Sequence, residues 1–226
     1  MKTYGLHVES GPMKRTTMVH VPALTGCIAR GATTDEALAN TPDAIRAFLR
    51  FLVRHGERVD PDAPFRTRAA QHVTEGQWLG NGSAFLETDL QPLTRRDIAR
   101  DMRRLGWVHD GLRALTSART ARRLNVSPAK GRPIAAILQH LTGEGSYLRG
   151  VKGSSRISGQ AERGEVDPLG ARDQLFELES VRVREMTDGE LAEVRSHWSA
   201  RYALRRMVEH AWEHYVEIAA RLGAAP

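Results

Sequence analysis

The spacing of the hydrophobic residues changes after about residue 33, and this change limits the folds that the chain can adopt. Before it, short runs rich in β-branched residues are separated by turn-forming prolines and glycines, which is the pattern of strands. After it, Thr33 offers an N-cap hydroxyl and acidic residues occupy the next turn, so a helix is expected from there to Arg54. Pro42 favours a break or a kink in that helix. The predicted strands are Thr3 to Glu9, Met18 to Val21 and Gly26 to Arg30.

Four further segments with helical spacing follow a polar joint over residues 56–94. Apolar residues recur on one face of each segment, as in helices that pack into a bundle. Within the joint, Gly76 to Glu87 predicts a hairpin, and the Gly- and Ser-rich stretch from Gly150 to Gly164 predicts an exposed, mobile loop. The predicted helices are Thr94 to Ala114, Pro133 to Leu148, Leu169 to Val183 and Ser199 to Leu222.

A length of 226 residues is enough for two small domains, each with its own core. We therefore predict a two-domain α+β protein. Residues 1–92 form a small α/β unit with a sheet, one long helix and the added hairpin. Residues 93–226 form an up-and-down four-helix bundle.

The composition argues against several classes of protein. Apolar runs are too short for a membrane span and the N-terminus lacks the features of a secretion signal, so no membrane partner and a cytoplasmic location are expected. The single Cys27 cannot form an internal disulfide, in agreement with a reducing compartment. The net charge of +6 comes with arginine pairs such as Arg205 and Arg206 that helices are expected to place on solvated faces, so nucleic acid is not an expected partner. The sequence has neither a phosphate-binding glycine loop nor a nucleophile-elbow serine.

One stretch of the N-terminal part carries a family resemblance. Residues 20–31 read HVPALTGCIARG, and residues 34–40 read TDEALAN. This turn followed by a capped helix resembles HicB-like antitoxin domains over about the first 55 residues, with Thr25 at a position where the family usually has Pro. The DNA-reading half of such antitoxins does not follow here. The resemblance therefore implies the fold of that domain and a surface for a protein partner, but not repression.

The last predicted helix carries two histidines on its apolar face. His210 and His214 lie on the stripe that continues through Ala203, Met207 and Ile218, so both imidazoles are expected to face the core. Histidines four residues apart on a helix can bind one metal ion. The pair alone leaves metal ligands and structural histidines as equal alternatives.

His140 adds a third imidazole on the stripe of the second bundle helix, which faces inward in the same way. Three histidine ligands leave coordination positions open, as in catalytic sites, where bound water reaches a pKa of about 7 or a thiol binds as thiolate. Three imidazoles suit zinc, nickel, copper and iron alike.

The same residues resemble a second family. The segments ILQHL at residues 137–141 and HAWEH at residues 210–214, within four helices over residues 94–222, are similar to the DinB/YfiT-like superfamily. That resemblance implies a site for nickel, zinc or a similar ion held by His140, His210 and His214. It also implies a metal-dependent transferase that acts with a low-molecular-weight thiol, or a related isomerase. Bundles of this family often pair, so a homodimer is an open alternative.

Other side chains are weaker candidates for the site. Glu144, four residues after His140, is the candidate catalytic residue, because it could orient an imidazole or move a proton. Glu213 and Glu217 could do the same, with solvated helix surface as the alternative for all three.

His109 and His197 could line the cavity, with partly buried structural histidines as the alternative. Trp212 and Tyr215 lie off the histidine stripe and are expected to pack against a neighbouring helix or a second subunit.

Two hypotheses of function follow. The first is an enzyme, a metal-dependent hydrolase or thiol-dependent transferase with one divalent ion, most readily zinc or nickel, and an unidentified small-molecule substrate. The second is a protein-interaction module, in which the N-terminal domain binds a partner and the helices serve as its scaffold.

Overall fold

The computed structural model describes residues 1–11, 16–75, 79, 85–143 and 147–226. Its N-terminal part is a mixed four-stranded sheet with strand order β3-β2-β1-β4. The first three strands pair antiparallel and confirm the prediction, whereas β4 runs parallel to β1 along its other side. The strands are β1 (Lys2–Glu9), β2 (Thr17–His20), β3 (Ile28–Gly31) and β4 (Phe65–Val73).

The strand β4 lies in the segment that the sequence predicts to be a joint. Its residues are mostly polar, and most of its side chains are exposed at the edge of the sheet, so it lacks the hydrophobic alternation of a half-buried strand. The predicted hairpin over Gly76 to Glu87 lies mostly outside the described residues. The chain beyond it forms a 3₁₀ turn at Glu87–Leu90.

The long helix α1 (Thr34–Arg54) covers the sheet. It begins as expected, because the Thr33 hydroxyl accepts a hydrogen bond of 3.1 Å from the Glu36 amide. The helix is unbroken through Pro42, so of the break or kink expected there the break is not found. The Thr41 hydroxyl donates to the Ala37 carbonyl at 2.8 Å, one turn earlier in the helix.

The rest of the chain is mostly helical. The predicted start of α2 is confirmed, because Thr94 and Asp97 form a reciprocal capping box. Two short strands, β5 (Val194–Arg195) and β6 (Trp198–Ser199), precede the last helix. The helices are α2 (Arg95–Thr116), α3 (Ala121–Leu124), α4 (Ile134–Leu141), α5 (Ser154–Glu162), α6 (Pro168–Glu185), α7 (Asp188–Ala192) and α8 (Ala200–Leu222).

Two predictions about the middle of this region are wrong. The helix predicted to reach Leu148 ends at Leu141, where the Thr142 hydroxyl donates to the Gln139 carbonyl at 2.7 Å. The loop predicted over Gly150 to Gly164 contains α5. Four buried residues explain α5, since a pair spaced four apart on α5 packs against another such pair on α6: Ile157, Ala161, Ala171 and Leu175.

The helices α2 and α4 each pack against both α6 and α8. Most buried apolar residues of α2, α4, α8 and the sheet, together with Val183 of α6, belong to one connected hydrophobic cluster. At the junction, Phe48 and Phe51 of α1 contact the Trp212 ring, with centroids 4.9 and 4.8 Å away, and Phe51 also contacts Tyr215. Trp212 and Tyr215 therefore pack against a neighbouring helix, which was one of the two alternatives for them.

The close packing at this junction requires a glycine in the turn before β3. Gly26 has a φ of +106°, and a Cβ at this position would lie 2.8 Å from carbons of both Phe48 and Val208. The glycine of the HicB-like pattern therefore lets the turn approach both α1 and α8.

Candidate metal centre

The three histidines predicted as ligands lie together in the structure. His210 and His214 lie one turn apart on α8 and are only 7% and 6% exposed, whereas His140 lies near the end of α4 and is exposed. One ring nitrogen from each histidine lies within 4.8 Å of the other two. Two helices that pack against each other thus bring all three imidazoles to one place.

The ring geometry suits a common ligand. The Nε2 atoms of His140 and His210 are 2.9 Å apart, so at least one of them carries no proton, because two N–H groups would repel. The three rings stand edge to face, with interplanar angles of 76° to 87°. Nitrogens bonded to one ion at about 2.0–2.1 Å lie about 2.8–3.4 Å apart when they occupy neighbouring positions of an octahedral or tetrahedral arrangement. The donor set fits a borderline divalent metal ion after small side-chain adjustments.

A carboxylate lies behind one of the three imidazoles. The Nδ1 atom of His214 is 3.0 Å from Oε2 of Glu217, on the far side of the ring from Nε2. The hydrogen bond from His214, with further support from Arg221, holds the pKa of Glu217 below its usual range. Glu217 was one of the weaker candidates, and it contacts a predicted ligand.

The other candidate carboxylates have different positions. Glu213 forms an ion pair with Arg30 of β3. Glu144, the predicted catalytic residue, lies outside the described residues, so its role stays a prediction.

The remaining histidine candidates lie in other surroundings. His109 packs edge to face against Phe176 of α6, with ring centroids 5.6 Å apart. His197 lies near Phe85, with centroids 6.4 Å apart. Neither belongs to the group of three ligand nitrogens found in the described part of the chain.

Tyr147 lies beside the site, although the sequence did not single it out. Its ring centroid is 5.9 Å from that of His210, and the Arg206 guanidinium lies 5.8 Å from the Tyr147 ring. The backbone carbonyl of Tyr147 accepts a hydrogen bond of 2.9 Å from the Trp198 indole. The residue comes from the segment after α4, where the sequence predicted a continuing helix, so its approach to α8 was not predictable.

A buried network of charged residues lies next to the histidines. Arg205 donates to Asp89 through two bonds of 2.6 and 2.9 Å and to Glu209 at 2.8 Å, and Arg206 also donates to Glu209 at 2.8 Å. His20 of β2 lies 3.1 Å from Glu209. Side chains of the sheet, the 3₁₀ turn and α8 therefore meet in this network.

The expectation that Arg205 and Arg206 are solvated is wrong. They are only 3% and 2% exposed, because the sheet and the 3₁₀ turn cover that side of α8. Buried arginines need paired acceptors, and Asp89 and Glu209 supply them.

His20 is fully buried between Glu9 of β1 and Glu209 of α8, with Arg205 also 3.3 Å away. Burial by itself lowers the pKa of His20, but attraction to Glu209 and hydrogen bonds to Glu209 and Glu9 outweigh it, so the pKa is raised. Because the pKa of His20 is higher in the folded protein than in the unfolded chain, the imidazolium stabilises the fold at pH values below the unfolded-state pKa of about 6.5. This contribution to stability is lost as the pH rises through the folded-state pKa.

We therefore expect the difference in unfolding free energy between the wild type and His20→Gln to shrink as pH rises above 6.5. The measurement is a series of urea denaturation curves between pH 6 and pH 10. His72→Gln is the control, because His72 is exposed on β4. Its difference in unfolding free energy from the wild type should not include the contribution of the buried His20. A difference that stays constant for His20→Gln over the whole range would contradict a protonated His20.

The N-terminal fifth of the chain matches a curated protein, a UPF0150 protein of Thermoplasma acidophilum, at 47% identity over 45 residues. The match covers 20% of this chain and 65% of the relative, so the chain spans less than two thirds of that protein's length. It supports the HicB-like assignment of the N-terminal segment. No family model and no solved structure matches the chain.

Among the described ranges, no helix combines the length and the apolar character that crossing a membrane requires.

Proposed function

We propose that this protein binds one divalent transition metal ion through His140, His210 and His214, and that the metal centre serves a hydrolase or a thiol-dependent transferase. The observation that carries the proposal is the convergence of three imidazole nitrogens within 4.8 Å from two packed helices. Imidazole is a good ligand for zinc and nickel, and these are the ions that we propose.

The surroundings of the histidines support an accessible site. His210 and His214 are buried, which keeps their rings in place, while His140 is exposed and marks the side on which the site meets solvent. When bound, an ion with three imidazole ligands supplies a Lewis acid that can activate water or hold a thiol as thiolate. A small molecule, such as a low-molecular-weight thiol, could approach from the His140 side.

The helical frame is proposed to be a DinB-like four-helix bundle made by α2, α4, α6 and α8. Its support is the packing of α2 and α4 against both α6 and α8, and the placement of the histidines on α4 and α8. Ligand sites of helical bundles are commonly built from side chains on facing helices. Glu144 remains our proposed proton-transfer residue, because it is a carboxylate close to His140 in the sequence.

Elemental analysis of the purified protein tests the metal site. We expect about one zinc or nickel ion per chain of the wild type. His140→Ala and His210→Ala should each bind the ion at least tenfold more weakly and therefore retain less of it, because each variant removes a ligand. His109→Ala is the matched control and should keep the metal, since His109 packs against Phe176 instead. A wild-type protein that neither retains nor takes up these ions would contradict the proposal.

We infer a second candidate function for the N-terminal domain, namely binding of a protein partner in the manner of antitoxin-type domains. The observation that favours it is the 47% identity with a UPF0150 protein. Co-purification of a partner that persists after chelation of metal, and that requires residues 1–92, would support this function. Partner binding that needs His210 and bound metal would count against it.

A further inference from the structure

A chain of polar contacts runs from the His214 imidazole to the start of the other ligand helix. Glu217 lies 3.0 Å from Nδ1 of His214, and its second oxygen accepts a hydrogen bond from Arg221. Arg221 also donates to the backbone carbonyl of Arg132, two residues before α4. The contacts therefore connect the helix that carries two of the histidines with the helix that carries the third.

The first contact sets which nitrogen of His214 carries the proton. A carboxylate offers only acceptors, so Nδ1 must be the N–H donor in this hydrogen bond. In the neutral ring, Nε2 then keeps its lone pair. The Nε2 side of the ring faces away from Glu217, so the hydrogen bond also fixes the ring orientation.

The second contact fixes the carboxylate and the neighbouring chain. Arg221 follows Glu217 by four residues, and their side chains are 24% and 34% exposed, so the pair is only partly screened by solvent. The guanidinium fits closely over Gly131, because a Cβ at that position, where φ is +91°, would lie 2.7 Å from Nη2 of Arg221. A side chain at residue 131 would therefore displace the guanidinium that contacts Arg132.

We propose that Glu217 and Arg221 are positioning residues of the metal centre: Glu217 holds His214 in the tautomer and orientation that present Nε2 to the ion, and Arg221 fixes both Glu217 and the start of α4. The inference rests on the proposed metal site. An ordinary helix-surface ion pair of this spacing contributes little to stability. The distinguishing feature here is that the pair contacts a ligand ring at one end and the other ligand helix at the other.

The test measures the affinity of the full chain for cobalt(II) and zinc(II), by competition with a chelator of known affinity. We expect Glu217→Gln to bind about 10–100-fold more weakly than the wild type, because an amide can either accept from or donate to Nδ1 and no longer selects one tautomer. Arg221→Met should lose about tenfold, since the carboxylate and the start of α4 become less constrained. The visible absorption of the cobalt protein should change in Glu217→Gln, which a merely structural role would not predict.

Glu213→Gln is the matched control, because Glu213 lies one turn earlier on α8 and pairs with Arg30 instead of a histidine. It should keep wild-type affinity and the wild-type cobalt spectrum. Melting temperatures of the metal-free proteins show whether the variants remain folded. An equal loss of affinity in Glu213→Gln, or wild-type affinity and spectrum in both Glu217→Gln and Arg221→Met, would overturn the inference. A wild type that binds neither ion would instead overturn the proposed metal site itself.

Discussion

Arg205→Met is expected to lower the free energy of unfolding by about 3–5 kcal/mol, because it removes one member of a buried, hydrogen-bonded set of charges. Asp89 is fully buried and would lose both of its bonds from Arg205. Glu209 would lose one of its two arginines but keep Arg206 and His20. The variant therefore leaves negative charge inside the protein without enough compensation.

Urea denaturation at pH 7 measures this effect. Arg113→Met is the control, since Arg113 pairs with Asp173 at the surface, where both side chains are largely exposed, and such pairs contribute at most about 1 kcal/mol. If Arg205→Met lost no more stability than Arg113→Met, the burial of the network would be contradicted.

Phe48→Ala is expected to cost about 3–5 kcal/mol of unfolding free energy, as for other large aromatic side chains deleted from a core. Phe48 is completely buried, and its ring stands edge to face with the Trp212 ring. It also lies where Gly26 brings the turn before β3 close to α1 and α8. The substitution therefore opens a cavity between the sheet side of the protein and α8.

Calorimetry and urea denaturation measure the loss of unfolding free energy in Phe48→Ala and, as the control, in Phe65→Ala. Phe65 is only partly buried at the edge strand β4, where it contacts Tyr4, so its deletion should cost clearly less. Equal losses in the two variants would argue that α1 and α8 do not share a tightly packed core. A loss in Phe48→Ala below about 1.5 kcal/mol would argue the same, since it falls below the range for buried aromatic residues.

Local signals in the sequence were sufficient for several elements. The hydroxyl caps at Thr33 and Thr94 predicted the starts of α1 and α2, because an N-cap bonds to an amide only three residues away. The N-terminal pattern predicted three strands and the HicB-like resemblance, which the UPF0150 match supports. The pair His210 and His214 followed from helical spacing within α8.

The sequence was less informative where a residue depends on distant partners. The strand β4 is polar, and its identity as a strand depends on pairing with β1, more than 50 residues earlier. The short helix α5 was missed because its two buried residues gain stability by packing against α6 instead of by strong local propensity. In the same way, Arg205 and Arg206 are buried by elements far from them in the sequence.

The sequence by itself determined the helix caps, the first three strands and the two histidines that share a face of α8, because each depends on contacts between residues close in the chain. Only the tertiary structure brought His140 beside His210, across 70 residues, and His20 beside Glu209, across 189 residues. Only the fold also showed that Glu217, rather than Glu213, contacts the imidazole of His214. The physical reason is that burial and the pairing of charges are set by whichever elements pack together, and spacing along one helix does not specify those partners.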